Sequence, residues 1–320
     1  MAKDTPEDWG PLAGPWRRYR GNPVSVPGPR ERHVGNGPQS VVFFQGKWRM
    51  FVMCLVDGEQ NTILLESDDG LHWERAEPYP VLKVTEDYEG TYALVKSAVV
   101  VDDELRLYYF GKLGIEERLC LAVTSDLKTI RKHELNPLFT VKDSRLEGER
   151  VFPDSVVRTA GGWFHYYDIG FDYRHPLHPR TYLICAAVSE DGIHICDADR
   201  NPMVARGQKG AWDDAMVSQA AVARIGDWWY MLYSGASSRR EGKDGQSFGL
   251  ARAGEPLGPW QKYPHNPVFT PAADDRSWDG RFVQHPCPVL VKGRWCLYYN
   301  GHGAEPLSYK IGTAFCDRRG

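Results

Sequence analysis

The segment Gly14-Pro15-Trp16-Arg17-Arg18-Tyr19-Arg20-Gly21-Asn22-Pro23-Val24 near the start of the chain returns near its end as Gly258-Pro259-Trp260-Gln261-Lys262-Tyr263-Pro264-His265-Asn266-Pro267-Val268. The proline of this element can be followed through Pro23, Pro80, Pro137, Pro202 and Pro267, at intervals of 57, 57, 65 and 65 residues by subtraction. A period of that size marks an array of one supersecondary unit, so the 320 residues are read as a single domain, 1–320, with no internal boundary.

Each repeat holds an apolar run, a turn and an aromatic-rich run. Val41-Val42-Phe43-Phe44 precedes Trp48-Arg49-Met50-Phe51, and Pro288-Val289-Leu290-Val291 precedes Trp295-Cys296-Leu297-Tyr298-Tyr299. β-Branched and aromatic residues split by Gly-containing turns such as Gln45-Gly46-Lys47 predict hairpins. A third run follows, such as Leu119-Cys120-Leu121-Ala122-Val123, and a fourth strand leads into the Asn-Pro element. Four antiparallel strands per repeat and five repeats predict an all-β fold, a five-bladed β-propeller. The last repeat stops after its third strand. Its bare edge predicts that the N-terminal strand around Trp16–Tyr19 supplies the fourth and closes the ring.

A formal net charge of −3 with 25% charged residues gives no electrostatic reason to bind nucleic acid or an anionic membrane surface. No apolar run resembles a signal peptide or a membrane span, and the expected location is the cytoplasm. The seven cysteines form no Cys-x-x-Cys pair, and most lie in apolar strand patterns, which predicts buried free thiols.

In such a ring the innermost strand of each blade begins at the central axis. Counting back from the second-strand aromatics places Gln39, Lys96, Asp154 and Gln219 at one level around a polar hollow, with His285 or its neighbour completing the ring. Polar side chains at the convergent ends of apolar strands are costly unless solvated or used. Asn36, Arg150 and Arg281 lie close to these positions in sequence and complete the expected binding set. Glu149, Asp154 and Asp214 are the candidate acid and base, with Glu89 or Asp279 as possible helpers. The recurrence of Trp212-Asp213 and Trp278-Asp279 at equivalent points favours a structural role for Asp213 and Asp279.

The five hairpins, the two Trp-Asp pairs and the segment Phe152-Pro153-Asp154-Ser155-Val156 together resemble the five-bladed glycosidase superfold of glycoside hydrolase families 43, 32, 62, 68, 117 and 130. The resemblance implies that Asp154 corresponds to the transition-state-stabilising Asp of family 32, although here Asp follows Pro. It also implies that His285 is similar to the axial His of family 43, which helps hold a metal ion or water. No cofactor is required on this reading. The chain departs from the pattern where families 43 and 32 begin the first inner strand with a catalytic Asp, since Asn36-Gly37-Pro38-Gln39 stands there. Glycoside hydrolysis uses two carboxyl groups, ~5 Å apart for retention and ~6.5–9.5 Å for inversion. The expected activity is carboxyl-catalysed cleavage of a small glycoside or oligosaccharide. The alternatives are a family 130-like phosphorylase, with Lys96, Arg150, Arg281 and His285 cradling phosphate, a non-hydrolytic biosynthetic enzyme, or a sugar-binding protein.

Overall fold

The computed structural model describes residues 6–29, 31–32, 38–56, 58–171, 181–238, 245–304 and 309–316, without the side chains of 6, 7, 32, 38 and 39. The expected five-bladed propeller is present, with each blade an antiparallel sheet. The inner strands are Pro38–Phe44, Leu94–Val101, Arg150–Thr159, Met216–Ile225 and Phe282–Val291. Each pairs with a long second strand (Lys47–Val56, Glu104–Leu113, Gly162–Phe171, Trp228–Ala236 and Arg294–His302), which in turn pairs with a third. The outermost strands are two residues long, and short edges of this kind resist unwanted pairing. Among the described residues no helix is long and apolar enough to cross a membrane.

Closure occurs as the duplicated segment requires. Arg17–Arg18 pairs with Tyr309–Cys316, placing Arg17 opposite Phe315 and Arg18 opposite Ala314. The join continues through Tyr19 N to Thr313 O at 3.0 Å and Val24 N to Ile311 O at 2.8 Å. The apolar cores lie in the gaps between adjacent blades. One of them unites Met50, Val52 and Ile63 of blade 1 with Tyr298, Ile311 and Phe315 of blade 5, across the junction of the chain's ends. Cys54, Cys120, Cys185, Cys296 and Cys316 are buried free thiols, whereas Cys196 is exposed.

The repeated Asn-Pro element has a mechanical explanation. Asn136, Asn201 and Asn266 each accept a hydrogen bond at Oδ1 from a third-strand N–H and return one from Nδ2 to the same residue's carbonyl, at Leu121, Ala186 and Leu250. Asn22 does the same with Thr313 across the junction. The amide thus imitates a neighbouring strand where the chain turns away.

A second repeated device secures the outer end of four of the five blades. The phenols of Tyr109, Tyr167, Tyr233 and Tyr299 donate to buried carboxylates of Glu89, Asp197, Asp213 and Asp279. Three of these acids also meet a cation from a fourth strand, in the pairs Lys132–Glu89 at 2.6 Å, Lys262–Asp213 at 2.5 Å and Arg18–Asp279 at 2.7 Å. The Trp-Asp pairs belong to this device. Trp212 lies over Gly235 and Gly249, where a Cβ would come within 2.5 and 2.6 Å of its ring, and Trp278 lies over Gly301 and Gly312. Glu89 and Asp279 therefore sit in the blade scaffold, away from the axial cavity described below.

His165 occupies a core position that the other blades fill with Met50, Leu107, Met231 and Leu297. It is buried against Tyr108, with ring centroids 5.0 Å apart, and among the described residues neither ring nitrogen has a hydrogen-bond partner. Burial pushes its pKa down to about 3.

Three expectations follow. Asp279→Ala leaves the Tyr299 phenol and the partly exposed Arg18 without their shared acceptor, and should lower unfolding free energy by about 3 kcal/mol. Truncation of residues 1–24 should abolish cooperative unfolding, as followed by circular dichroism. His165 stays neutral in the folded state while its unfolded counterpart protonates near pH 6.5, so its contribution to stability is present above that pH. It is lost progressively as the pH falls from about 6.5 towards about 3. In denaturant titrations across this window, His165→Leu should show a shallower loss of stability than the parent.

Candidate active site on the propeller axis

Every inner strand breaks register with its second strand at the same level. The breaks fall between Pro38 and Ser40, Val95 and Ser97, Pro153 and Val156, Ser218 and Ala221, and Gln284 and Cys287. A bulge leaves a residue outside the ladder and re-aims its side chain. Lys96, Asp154, Gln219 and His285 lie at the bulges, and Gln219 and His285 adopt left-handed backbone, with φ of 60° and 54°. Residue 39 occupies the first-blade bulge, but its side chain lies outside the described residues, as does Asn36 altogether.

These bulges divide the axis. On one side lies a cavity of about 450 Å³, and on the other a smaller one of about 170 Å³; Lys96, Gln219 and His285 line both. Gln219 is locked in place. Its Oε1 accepts from Ser234 Oγ at 2.6 Å and from His285 N at 3.0 Å, which leaves its amide nitrogen facing His285 Nε2 at 3.3 Å. The Gln219 side-chain amide Nε2–H thus donates to His285 Nε2, placing the imidazole proton on Nδ1. Burial and the nearby Lys96 hold the His285 pKa well below the ordinary histidine value, so the ring is neutral.

Asp154 faces the smaller cavity, while Asp168, from the second strand of blade 3, faces the larger one. The two carboxyl groups act directly on each other, so that burial and mutual repulsion disfavour ionising both at once. Asp154 Oδ2 also accepts from Ala220 N at 3.1 Å, and Asp168 accepts from Gln219 N at 3.0 Å. Lys96 Nζ lies 3.8 Å from Asp154. Burial and the neighbouring Asp154 raise the Asp168 pKa well above the usual carboxylate value. Burial also raises that of Asp154 despite Lys96, and lowers that of Lys96. A proton is therefore stored on a carboxyl pair at the floor of the larger cavity.

Glu117 is the other carboxyl group in that cavity's wall. It is paired across strands with Lys112, at 3.4 Å from Nζ to Oε1, while its buried Oε2 has no hydrogen-bond partner among the described residues. Burial raises its pKa, and the charges of Lys112 and Arg150 oppose that rise. An aromatic arc adjoins these charges. Tyr92, Phe110, Phe152 and Tyr182 follow one another at centroid distances of 5.7, 6.4 and 5.5 Å. Across blades 4 and 5 the wall instead carries Ser218, Gln246, Gln284 and Tyr309.

Of the sequence-derived set, Lys96, Arg150, Gln219 and His285 meet in the larger cavity, and Asp154 supports its floor. Glu149 is exposed beside it, with its backbone N–H bonded to Gly170 O, and is not part of the wall. Arg281 is likewise exposed and outside the wall, its N–H bonded to His302 O. Asp214 lies off the axis altogether. It caps a turn by accepting from Gly210 N, Ser238 N and Ser238 Oγ, and these bonds outweigh its burial to leave its pKa at about 2.

Glu117 and Lys112 were not singled out from sequence, and Asp168 entered only as the first residue of the segment 168–180, expected to form a pocket wall or subunit contact, of which 172–180 lie outside the described residues. Asp168 had a signal. It directly follows the repeated second-strand tyrosine, at a position held by Met53, Phe110, Ser234 and Asn300 in the other blades. Glu117 had less, because its neighbours Glu116 and Arg118 make a charged run that reads as a solvated strand end.

The axial metal implied by the resemblance can be tested against these donors. Nε2 of His285 is taken by Gln219, the Lys96 ammonium lies close by, and the two aspartates act on each other and bond backbone N–H groups. No group of three His, Cys, Asp or Glu side chains converges on a common point among the described residues. This set does not fit a cation, and no chemical step below passes through one.

No family model matches the chain, and no curated protein matches it by sequence. Solved structures do match in fold. They include a thermostable family-43 glycoside hydrolase (TM-score 0.69, 16% identity, covering 91% of this chain and 92% of that one). A glycosyl hydrolase from Bacteroides ovatus is similar over 96% of this chain and 94% of that one (TM-score 0.69, 18% identity). The β-1,2-mannobiose phosphorylase from Listeria innocua, in complex with β-1,2-mannobiose, matches over 94% and 96% (TM-score 0.71, 14% identity). The chain thus has the five-bladed propeller fold of these glycoside hydrolases and this phosphorylase.

Proposed function

We propose that the protein is a carbohydrate-active enzyme that cleaves a glycosidic bond in the larger axial cavity by acid catalysis. The observation that carries this reading is the buried carboxyl pair of Asp154 and Asp168, with Asp168 facing the cavity and Glu117 in the same wall. A carboxylic acid kept protonated by burial and a neighbouring carboxylate is suited to protonate a leaving-group oxygen. Asp168 is the general acid, because it is the member of the pair that faces the cavity. Asp154 is a positioning residue; Lys96 offsets part of the negative charge on the pair once the proton has gone. Glu117, flanked by Lys112 and Arg150, accepts the proton of the attacking water. The two carboxyl centres thus take the complementary protonation states that glycoside hydrolysis requires. The aromatic arc offers apolar surface for the C–H face of a sugar ring, and the amides of blades 4 and 5 bond its hydroxyls.

A second reading, phosphorolysis, is favoured by the cations Lys96, Lys112 and Arg150 in the wall, since phosphate would then replace water as nucleophile. Incubation with a panel of aryl glycosides, with and without phosphate, separates the two. Release of the aryl group in water supports hydrolysis, and release only with phosphate supports the second reading. Tight sugar binding without turnover would point instead to a binding protein.

Asp168→Asn and Glu117→Gln should each lower turnover by about 10²- to 10⁴-fold, measured as kcat on the best aryl glycoside. Activity should require a protonated Asp168 and an ionised Glu117. The pH profile should therefore fall on its acid side above the ordinary glutamate value and on its alkaline side as the aspartate pair loses its proton. Lys96→Met removes a cation that favours ionisation of the pair, and should move the alkaline limb upward.

A further inference from the structure

Within the cavity read above as a sugar site, the charges pair off unevenly. Lys96 Nζ lies 3.8 Å from Asp154, and burial together with the neighbouring Asp154 favours the neutral form of Asp168, so the lysine is committed to this pair. Glu117 is balanced by Lys112, its cross-strand partner. Arg150 also lines the cavity, yet among the described residues its guanidinium makes no hydrogen bond or ion pair, although Glu117 feels its charge. A half-buried guanidinium facing a cavity without a counter-charge is a standing anion site, and its planar fork matches a carboxylate.

The surroundings narrow the ligand further. Two acceptors in the same wall, Glu117 Oε2 and Gln246 Oε1, are buried without a hydrogen-bond partner. Buried acceptors left unpaired are costly, so a ligand rich in hydroxyl donors would be bound strongly there. Arg150 and Phe152 are two residues apart on one inner strand. Arg150, Gly170 and Tyr182 stand opposite one another on three neighbouring strands. A Cβ at Gly170 would sit 2.6 Å from the Tyr182 ring and 3.5 Å from Arg150 Cβ, so the glycine leaves the space in which Tyr182 packs beside the arginine stem. The edge contact between Phe152 and Tyr182, at 5.5 Å, extends an apolar surface next to the guanidinium.

We propose that the substrate is an acidic glycoside whose sugar carboxylate is bound by Arg150, with its hydroxyls on Glu117 and Gln246 and its C–H face against Phe152 and Tyr182. One uncommitted positive charge matches a monoanion. A phosphate dianion would have to draw Lys96 or Lys112 away from its carboxylate. This rests on the cavity being the sugar site, but it can fail separately from the assignment of catalysis.

The test is calorimetric titration of the parent protein, Arg150→Gln and Arg150→Lys with glucuronate, galacturonate, glucose, galactose and inorganic phosphate, at low and at moderate salt. The unliganded melting transition of each variant verifies folding. One hexuronate should bind the parent at least tenfold more tightly than the matching hexose, with the preference reduced by salt. Arg150→Gln should erase the preference, and Arg150→Lys should restore only part of it. Equal affinity for hexose and hexuronate, or a preference that survives Arg150→Gln, overturns the proposal while leaving the sugar site standing. Arg150-dependent binding of phosphate without hexuronate binding overturns it in favour of phosphorolysis. Failure of every sugar to bind overturns both this proposal and the function on which it rests.

Discussion

Two residues, Arg17 and Arg18, hold the ends of the chain in one sheet, and the geometry of the axis depends on that pairing. Without it the third strand of blade 5 presents a free edge, and the core joining blades 5 and 1 opens to water. Arg18 adds a charge to the hydrogen bonds, since it meets Asp279, the buried acid that also takes the Tyr299 phenol. The closing strand therefore supplies the same cation that Lys132 and Lys262 supply from inside their own blades. Ring closure is what brings five inner strands to a common axis, and convergence is what buries their polar ends.

Burying those ends is expensive, and the structure shows how the cost is met. An isolated buried charge would cost several kcal/mol, so the ionisable groups at the axis occur in mutually compensating sets. Lys96 lies beside the aspartate pair, Lys112 beside Glu117, and His285 is kept neutral with its proton on Nδ1. The aspartates meet the cost differently from the outer-end acids. Glu89, Asp213 and Asp279 each have a tyrosine and a cation, whereas Asp168 faces another acid, which favours its protonated form. The same carboxyl chemistry is spent on scaffold at one end of the blade and stored as reactivity at the other.

The repeat was legible because its signals are local. The Asn-Pro element, the hairpin turns and the alternation of apolar runs recur within short windows, and each has a backbone reason to recur. The level of Lys96, Asp154, Gln219 and His285 was legible too, since counting along equivalent strands needs only a constant register. Reading Asp214 as a pocket residue did not follow the fold. Absence of a twin in the other blades is equally compatible with a loop peculiar to blade 4, and that is where its turn-capping bonds place it. Asp168 and Glu117 lie on second and third strands, so their approach to the axis depends on how far those strands extend beyond the bulge. That length is a property of the assembled ring.

The repeat is nearly symmetric, but the chemistry is not. Lys96, Lys112, Glu117, Arg150 and Asp168 all belong to blades 2 and 3, as does most of the aromatic arc, while blades 4 and 5 contribute amides, hydroxyls and a neutral imidazole. Copies of one unit stabilise each other through shared devices, and the tyrosine–acid and Asn-Pro pairs each recur in four of the five blades. Positions just beyond the bulge carry no such duty, as the series Met53, Phe110, Asp168, Ser234 and Asn300 illustrates. One wall could thus become charged while the opposite wall stayed neutral, without disturbing closure. A cavity polarised in this way gives a bound sugar a preferred orientation, because reversing it would set hydroxyls against the aromatic arc and leave the buried Gln246 Oε1 on the opposite wall without a donor.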